Sequence, residues 1–219
     1  MKNKRNRQKG ADEPEYRMLQ LTELRVEGNA EEPKIVGYAA VFDQWSEDLG
    51  GFREIIRAGA FTKTLKDGAD VRALFNHDPN FVLGRSKSGT LDVSEDKKGL
   101  AIKIDPPTTQ LIRDLVIAPI QRGDINQMSF AFRTVKDSWQ RPDPANGRPL
   151  AERELLEVKL YDVSPVTYPA YPQTSIAVRE LVDSMNENAE EPSNEPRQEP
   201  HSEELAKREE RLFAAQIDI

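Results

Sequence analysis

The chain has 219 residues, of which 37% are hydrophobic and 32% charged, a formal net charge of −7 and no cysteine. Its length suits one domain of ordinary size plus tails, and the missing cysteine excludes disulfides, thiol nucleophiles and thiolate metal sites. His77 and His201 are the only histidines, too few for a multi-histidine zinc centre, so chemistry has to rest on Ser, Asp, Glu, Lys or a single imidazole, with no cofactor or metal expected.

The first nine residues carry five Lys/Arg and no acid. Without an apolar stretch behind them they read as a solvated basic leader over residues 1–15, not as a secretory signal. The folded domain is expected over residues 16–185. Alternating patterns predict strands over Met18–Val26, Ile35–Phe42, Val71–Phe75, Thr90–Val93, Leu100–Ile104, Asn126–Val135 and Leu155–Val166. The sequence Asp96-Lys97-Lys98-Gly99 suits a hairpin between the fourth and fifth of these. A short helix is predicted over Ala60–Lys66, closing at Asp67-Gly68. A second, over Thr109–Ala118, has a threonine cap and an apolar face of Leu111, Ile112, Leu115 and Val116. A third, Ser175–Met185, is expected to end the domain. Many strands with few helices, not in βαβ alternation, predict an α+β fold: a mostly antiparallel barrel or sandwich core with peripheral helices.

Beyond the domain the composition turns acidic. From residue 183 onward eleven acids face four Lys/Arg, a net of −7, so the rest of the chain is close to neutral. Residues 186–201, with Pro192, Pro196 and Pro200 among Glu and Asn, cannot bury enough apolar surface to fold and read as a linker. Residues 202–219 follow as a short amphipathic helix and tail, capped by Ser202 and able to dock on a partner through Leu205, Leu212 and Phe213. No apolar run nears the roughly 20 residues of a membrane span. A phosphate loop and a basic–aromatic stripe are also lacking, so neither a membrane nor a specific nucleic acid is an expected partner.

Three residues of the domain can carry chemistry. His77, in VRALFNHDP, is placed at the end of a strand, before an Asp78-Pro79 turn; a lone histidine there serves packing or acts as a base. Ser129, in DINQMSFAF, shares a strand face with Ala131, opposite Met128, Phe130 and Phe132. It is either a nucleophile held on a stiff strand or a serine tolerated on a half-exposed face. Asp162, in LLEVKLYDVSPV, ends a stripe of Leu156, Val158 and Leu160, with Glu157, Lys159 and Tyr161 on the other side. A carboxylate on the core side needs a partner: an imidazole N–H would serve, and the alternative is a strand-end residue that turns to solvent or caps the Ser164-Pro165 turn.

The stretches KIVGYAAVFD, FREIIRAGAFTKTL, VRALFNHDPNFVLGRSKSGTL, RGDINQMSFAFR and ELLEVKLYDVSPVTYPAYPQT follow one another between Leu19 and Glu180. Together they resemble the prohead proteases of tailed bacteriophages, distant relatives of the herpesvirus assembly proteases. The resemblance implies a herpesvirus-protease-like fold and a serine endopeptidase. The histidine of the NHD segment, here His77, would be the base, and the serine of the MSFAF segment, here Ser129, the nucleophile. An acid in the strand before PAYP, here Asp162, would orient the base. Glu157 is the competitor, disfavoured by strand parity. Herpesvirus relatives use a second histidine in that role, which this chain lacks there. The resemblance further implies major capsid and scaffolding proteins as substrates, self-cleavage, action in the host cytoplasm inside the assembling procapsid, and self-association as a homo-oligomer. Oxyanion donors are sought among the backbone N–H groups of the Pro165–Tyr171 loop. The rival reading is a catalytically inactive capsid assembly or scaffolding protein that kept the fold; three competent side chains favour the enzyme.

Overall fold

The computed structural model describes residues 14–19, 23–168 and 176–187, all within a compact unit that ends at Ala189. The expected leader before Pro14, the linker beyond Glu187 and the terminal helix lie outside the described residues. Ten strands are described: β1 (Glu15–Leu19), β2 (Arg25–Gly28), β3 (Pro33–Val41), β4 (Phe52–Ile56), β5 (Arg72–Phe75), β6 (Asp78–Arg85), β7 (Leu91–Glu95), β8 (Gly99–Ile104), β9 (Gln127–Gln140) and β10 (Ala151–Val166). They make an α+β fold of two sheets with few helices. One sheet runs β1-β9-β10-β5-β6, with β4 also on β10; the other runs β2-β3-β8-β7. The smaller sheet is antiparallel throughout. The larger is mixed, because β10 runs antiparallel to β9 but parallel to both β4 and β5. Neither strand order returns on itself.

Ile35, Ala39, Leu100 and Ile104 of the smaller sheet share one buried core with Phe130, Phe132, Leu160 and Val163 of the larger. Phe61 stands edge-on to Phe130 at 5.6 Å, and Phe130 stacks on Phe132 at 5.1 Å. At the far end, α4 (Ile176–Glu187) seats Val178 and Val182 against Phe52 and Ala151. The β7–β8 turn forms as its sequence predicts: the Asp96 carboxylate accepts from the backbone N–H groups of Lys98 (2.7 Å) and Gly99 (3.0 Å). Gly99 is obligatory there, since a Cβ would stand 2.0 Å from the Ala40 carbonyl oxygen.

Several expectations change. The strand expected over Met18–Val26 is two strands in different sheets, with Leu24 turned into the core between them. Strand β4 had no alternating signal, because Ile55 and Ile56 are both buried. The expected Asp78-Pro79 turn is instead the start of β6, an edge strand, where the missing proline N–H costs no ladder bond. Helix α1 (Thr62–Lys66) ends at Asp67-Gly68 as expected. The helix starting after Thr109 runs past Ala118: α2 (Gln110–Ile112) continues through a π-helical turn (Arg113–Ile117) into α3 (Ala118–Arg122), with Pro119 in the first turn of α3 and Gly123 closing it at φ 83°. The extra residue in the π turn rotates the apolar face. Ile112, Val116, Ile117 and Ile120 are buried, while Leu111 and Leu115 are 56% and 42% exposed.

Candidate active site

The site is assembled by a hairpin tip, a strand and a strand irregularity. Strands β5 and β6 are joined with Phe75 opposite Asp78, which leaves Asn76 and His77 as a two-residue loop. Both have positive φ, 54° and 59°, as the turn that matches strand twist requires. Asn and His are among the few non-glycine residues that enter this left-handed region at modest strain. The tip is tied to the end of β10. The Asn76 N–H donates to the Pro165 carbonyl (3.0 Å), its side-chain amide donates to Thr167 Oγ1 (3.1 Å), and the Thr167 N–H donates to Asn76 Oδ1 (2.8 Å). His77 is thereby held over the β9–β10 ladder. Asp78 is engaged with Asn80, accepting from its N–H at 2.8 Å and its amide at 2.9 Å.

Ser129 and Ala131 of β9 pair with Ser164 and Asp162 of β10. Directly opposed residues share a face, so these four form the corners of one cross-strand rectangle, and Met128, Phe130 and Phe132 point the other way into the core. The register slips between Leu160 and Asp162: Leu160 opposes Phe132, whereas Asp162 opposes Ala131. This bulge sends Asp162 to the face opposite Leu160. Asp162, expected at the core-facing end of the Leu156-Val158-Leu160 stripe, lies instead on the serine's face, because the irregularity re-aims its side chain. Two further slips, on either side of Glu157, break the same stripe lower down and leave Leu155 buried in place of Leu156.

The imidazole spans the diagonal of that rectangle. Its Nδ1 is 2.6 Å from Asp162 Oδ1 and its Nε2 is 2.6 Å from Ser129 Oγ. A carboxylate can only accept, so Nδ1 carries the proton and Nε2 offers its lone pair to the serine hydroxyl. The Arg17 carbonyl, 3.0 Å from Ser129 Oγ, is a second acceptor for that hydroxyl. Ser164 Oγ donates to Asp162 Oδ1 at 2.8 Å. Tyr16 of β1 stands edge-on to the imidazole, ring centres 4.8 Å apart; partial burial and the nearby Asp162 charge raise its phenol above the usual value. Ser129 and Ser164 have no exposed surface, and Asp162 is 8% exposed.

His77, Ser129 and Asp162 thus come together, and Glu157 stands apart, paired with Lys63 at 3.0 Å. Arg85, at the opposite end of β6 from His77, is bound by Asp70 at 2.6 and 2.7 Å. Of the loop in which oxyanion donors were sought, Pro165 has no N–H, that of Thr167 is taken by Asn76, and residues 169–171 lie outside the described residues. Tyr16, Arg17, Asn76 and Ser164 were missed. Ser164 alone had a signal, its two-residue spacing from Asp162; the others depend on which strands become neighbours. Among the described residues no group of three or more His, Cys, Asp or Glu could hold a metal ion, and no helix is long and apolar enough to cross a membrane.

Chemically, a serine hydroxyl bonded to a neutral imidazole that is itself held by a carboxylate can attack an acyl carbon as the imidazole takes its proton. A family model described as caudovirus prohead serine protease matches residues 20–188, a span that includes all three groups. No curated protein and no solved structure matches the chain.

Proposed function

Because the chain belongs to the caudovirus prohead serine protease family, we propose that it is an endopeptidase with Ser129 as nucleophile, His77 as general base and Asp162 as the group that orients the base. The observation that carries this reading is the imidazole bridging Ser129 and Asp162 at 2.6 Å on each side. Ser129 Oγ adds to a peptide carbonyl while His77 Nε2 takes its proton. The tetrahedral intermediate collapses as His77 returns that proton to the leaving amine, which leaves an acyl-enzyme. Water, deprotonated by the same nitrogen, then adds to the ester; collapse releases the acid and restores the serine. Asp162 keeps Nδ1 protonated and stabilises the imidazolium formed in each half-reaction.

The substrates in this proposal are the extensions of a major capsid protein and a scaffolding protein, cleaved inside the procapsid in the host cytoplasm, with self-cleavage within residues 186–201. In this proposal the fold is herpesvirus-protease-like, a barrel or sandwich core with peripheral helices, and the protease works as a homo-oligomer. Residues 202–219 deliver it: a tethered segment that docks on a partner raises local substrate concentration to about millimolar. A chain ending at Ala189 is expected to cleave a peptide normally yet enter procapsids poorly. Co-expression with a scaffold–capsid precursor tests the activity: cleavage is expected with the native chain and none with Ser129→Ala. Continued processing by that variant would remove Ser129 from the mechanism.

A further inference from the structure

Ser164 is buried with no exposed surface, yet it is a hydroxyl residue on a strand whose neighbours Val163 and Pro165 are apolar and also buried. Its Oγ donates to Asp162 Oδ1, the same oxygen that accepts from His77 Nδ1. The bulge between Leu160 and Asp162 is what makes this contact possible. Downstream of it, Asp162 and Ser164 follow ordinary alternation, share a face, and oppose Ala131 and Ser129 respectively. Ser164 therefore occupies the corner of the rectangle beside the nucleophile while bonding to the carboxylate two residues away.

A carboxylate on a strand has a side-chain torsion free to swing its oxygens out of line with the imidazole. A hydroxyl fixed on the same strand, donating to one oxygen, selects a single orientation, and a donor to a charged acceptor is a strong restraint when both are dry. Ser164 is also small. With Ala131 at the opposite corner it leaves the diagonal open, so the imidazole can reach from Ser129 to Asp162 across a cross-strand separation of roughly 7–8 Å.

We propose that Ser164 is a positioning residue of the active site: its hydroxyl orients the Asp162 carboxylate toward His77 and acts on Ser129 only through that pair. This rests on the assignment of Asp162, His77 and Ser129 above. Loss of one hydrogen bond to a charged group predicts a fall of about tenfold in the reactivity of the serine.

The test is a double-mutant cycle on the full chain, read as the rate at which a fluorophosphonate probe labels the nucleophile. Ser164→Ala should label about tenfold more slowly than the native chain, with the midpoint of urea unfolding little changed. On the Asp162→Asn background, Ser164→Ala should add nothing, because the group it acts through is already disabled. Ser164→Cys, nearly the same size and a weaker donor, should fall between native and Ser164→Ala. It carries the same cycle should the alanine variant fold poorly. An equal loss from Ser164→Ala on both backgrounds would overturn the proposal, as would native-like labelling of Ser164→Ala while Asp162→Asn is slow. Native-like labelling of Asp162→Asn, or labelling of Ser129→Ala, would instead overturn the underlying assignment.

Discussion

Two clusters of buried polar groups lie on opposite faces of the β1–β9–β10 region, and they are built to opposite ends. In the first, Glu15 and Arg17 of β1, Glu54 of β4 and Arg153 of β10 are each at most 6% exposed. Arg153 bonds Glu15 at 2.6 Å, Glu54 at 3.0 Å and Asp137 at 2.8 Å; Arg17 bonds Glu54 at 2.8 Å and Glu15 at 2.9 Å. Thr134 Oγ1 joins the set, donating to Glu15 and accepting from Arg153. Every charge faces an opposite one, so no proton has reason to move. The second cluster holds one carboxylate, one neutral imidazole and two hydroxyls. Its carboxylate stands 2.6 Å from one imidazole nitrogen and a serine hydroxyl 2.6 Å from the other, where in the proposed mechanism it stabilises the imidazolium that forms. Paired ions hold β1 on β9, and β1 in turn brings the Arg17 carbonyl and Tyr16 to the other face. The first cluster pairs its charges with one another, whereas the proposed function has the second answer its one carboxylate with a proton held on the imidazole.

Breaking each cluster should give different signatures. The largest effect is expected from Asp162→Asn, which keeps the fold but favours the wrong imidazole tautomer and should lower turnover on the order of 10⁴-fold. Arg153→Met leaves the buried Glu15 and Glu54 to share Arg17 alone, and should destabilise the fold by about 3–5 kcal/mol in urea titrations. Turnover per titrated nucleophile should be unchanged; a parallel loss of turnover would show that the two clusters are coupled. Ala131→Leu overfills a buried corner of the rectangle and displaces the imidazole, with an expected loss of about 10²-fold in kcat and about 1–3 kcal/mol of stability.

A smaller effect concerns pH. Burial pushes the Glu15 carboxyl up, but the Arg153 and Arg17 charges outweigh it and hold it below the usual glutamate value. A depressed folded-state pKa stabilises the fold above the unfolded-state value, and that contribution is lost as pH falls through the folded value. Stability should therefore drop on acidification from the ordinary glutamate range downward, and Glu15→Gln should flatten that part of the slope while lowering stability at neutral pH. The smallest effect is expected from Glu157→Gln, which removes only a half-exposed pair with Lys63. It should cost under about 1 kcal/mol and leave turnover unaltered; a large loss of activity would move the orienting role to Glu157.

Local pattern carried much of this architecture into the sequence. The alternation of MSFAF placed Ser129 and Ala131 opposite the phenylalanines, and β9 keeps that order. Asp96 with Gly99 specified a hairpin, and Thr109 a helix start, because turns and caps are made of bonds between near neighbours. Five short stretches in order also sufficed to identify the family. What the alternation could not carry was Asp162. Its parity along β10 reads as core-facing, and only a bulge set by pairing with β9 turns it toward Ser129. The same holds for His77, whose hairpin tip is shaped by Asn76 binding Thr167, 91 residues away, and for β1, which pairs with β9 and bonds Arg153 and Glu54 from far along the chain. Turns, helix starts and the faces of a regular strand stretch such as MSFAF follow from interactions within a few residues, which the sequence alone determined. The meeting of Ser129, His77, Asp162 and Ser164 depends on register and bulges between strands far apart in the chain, and only the tertiary packing decides those.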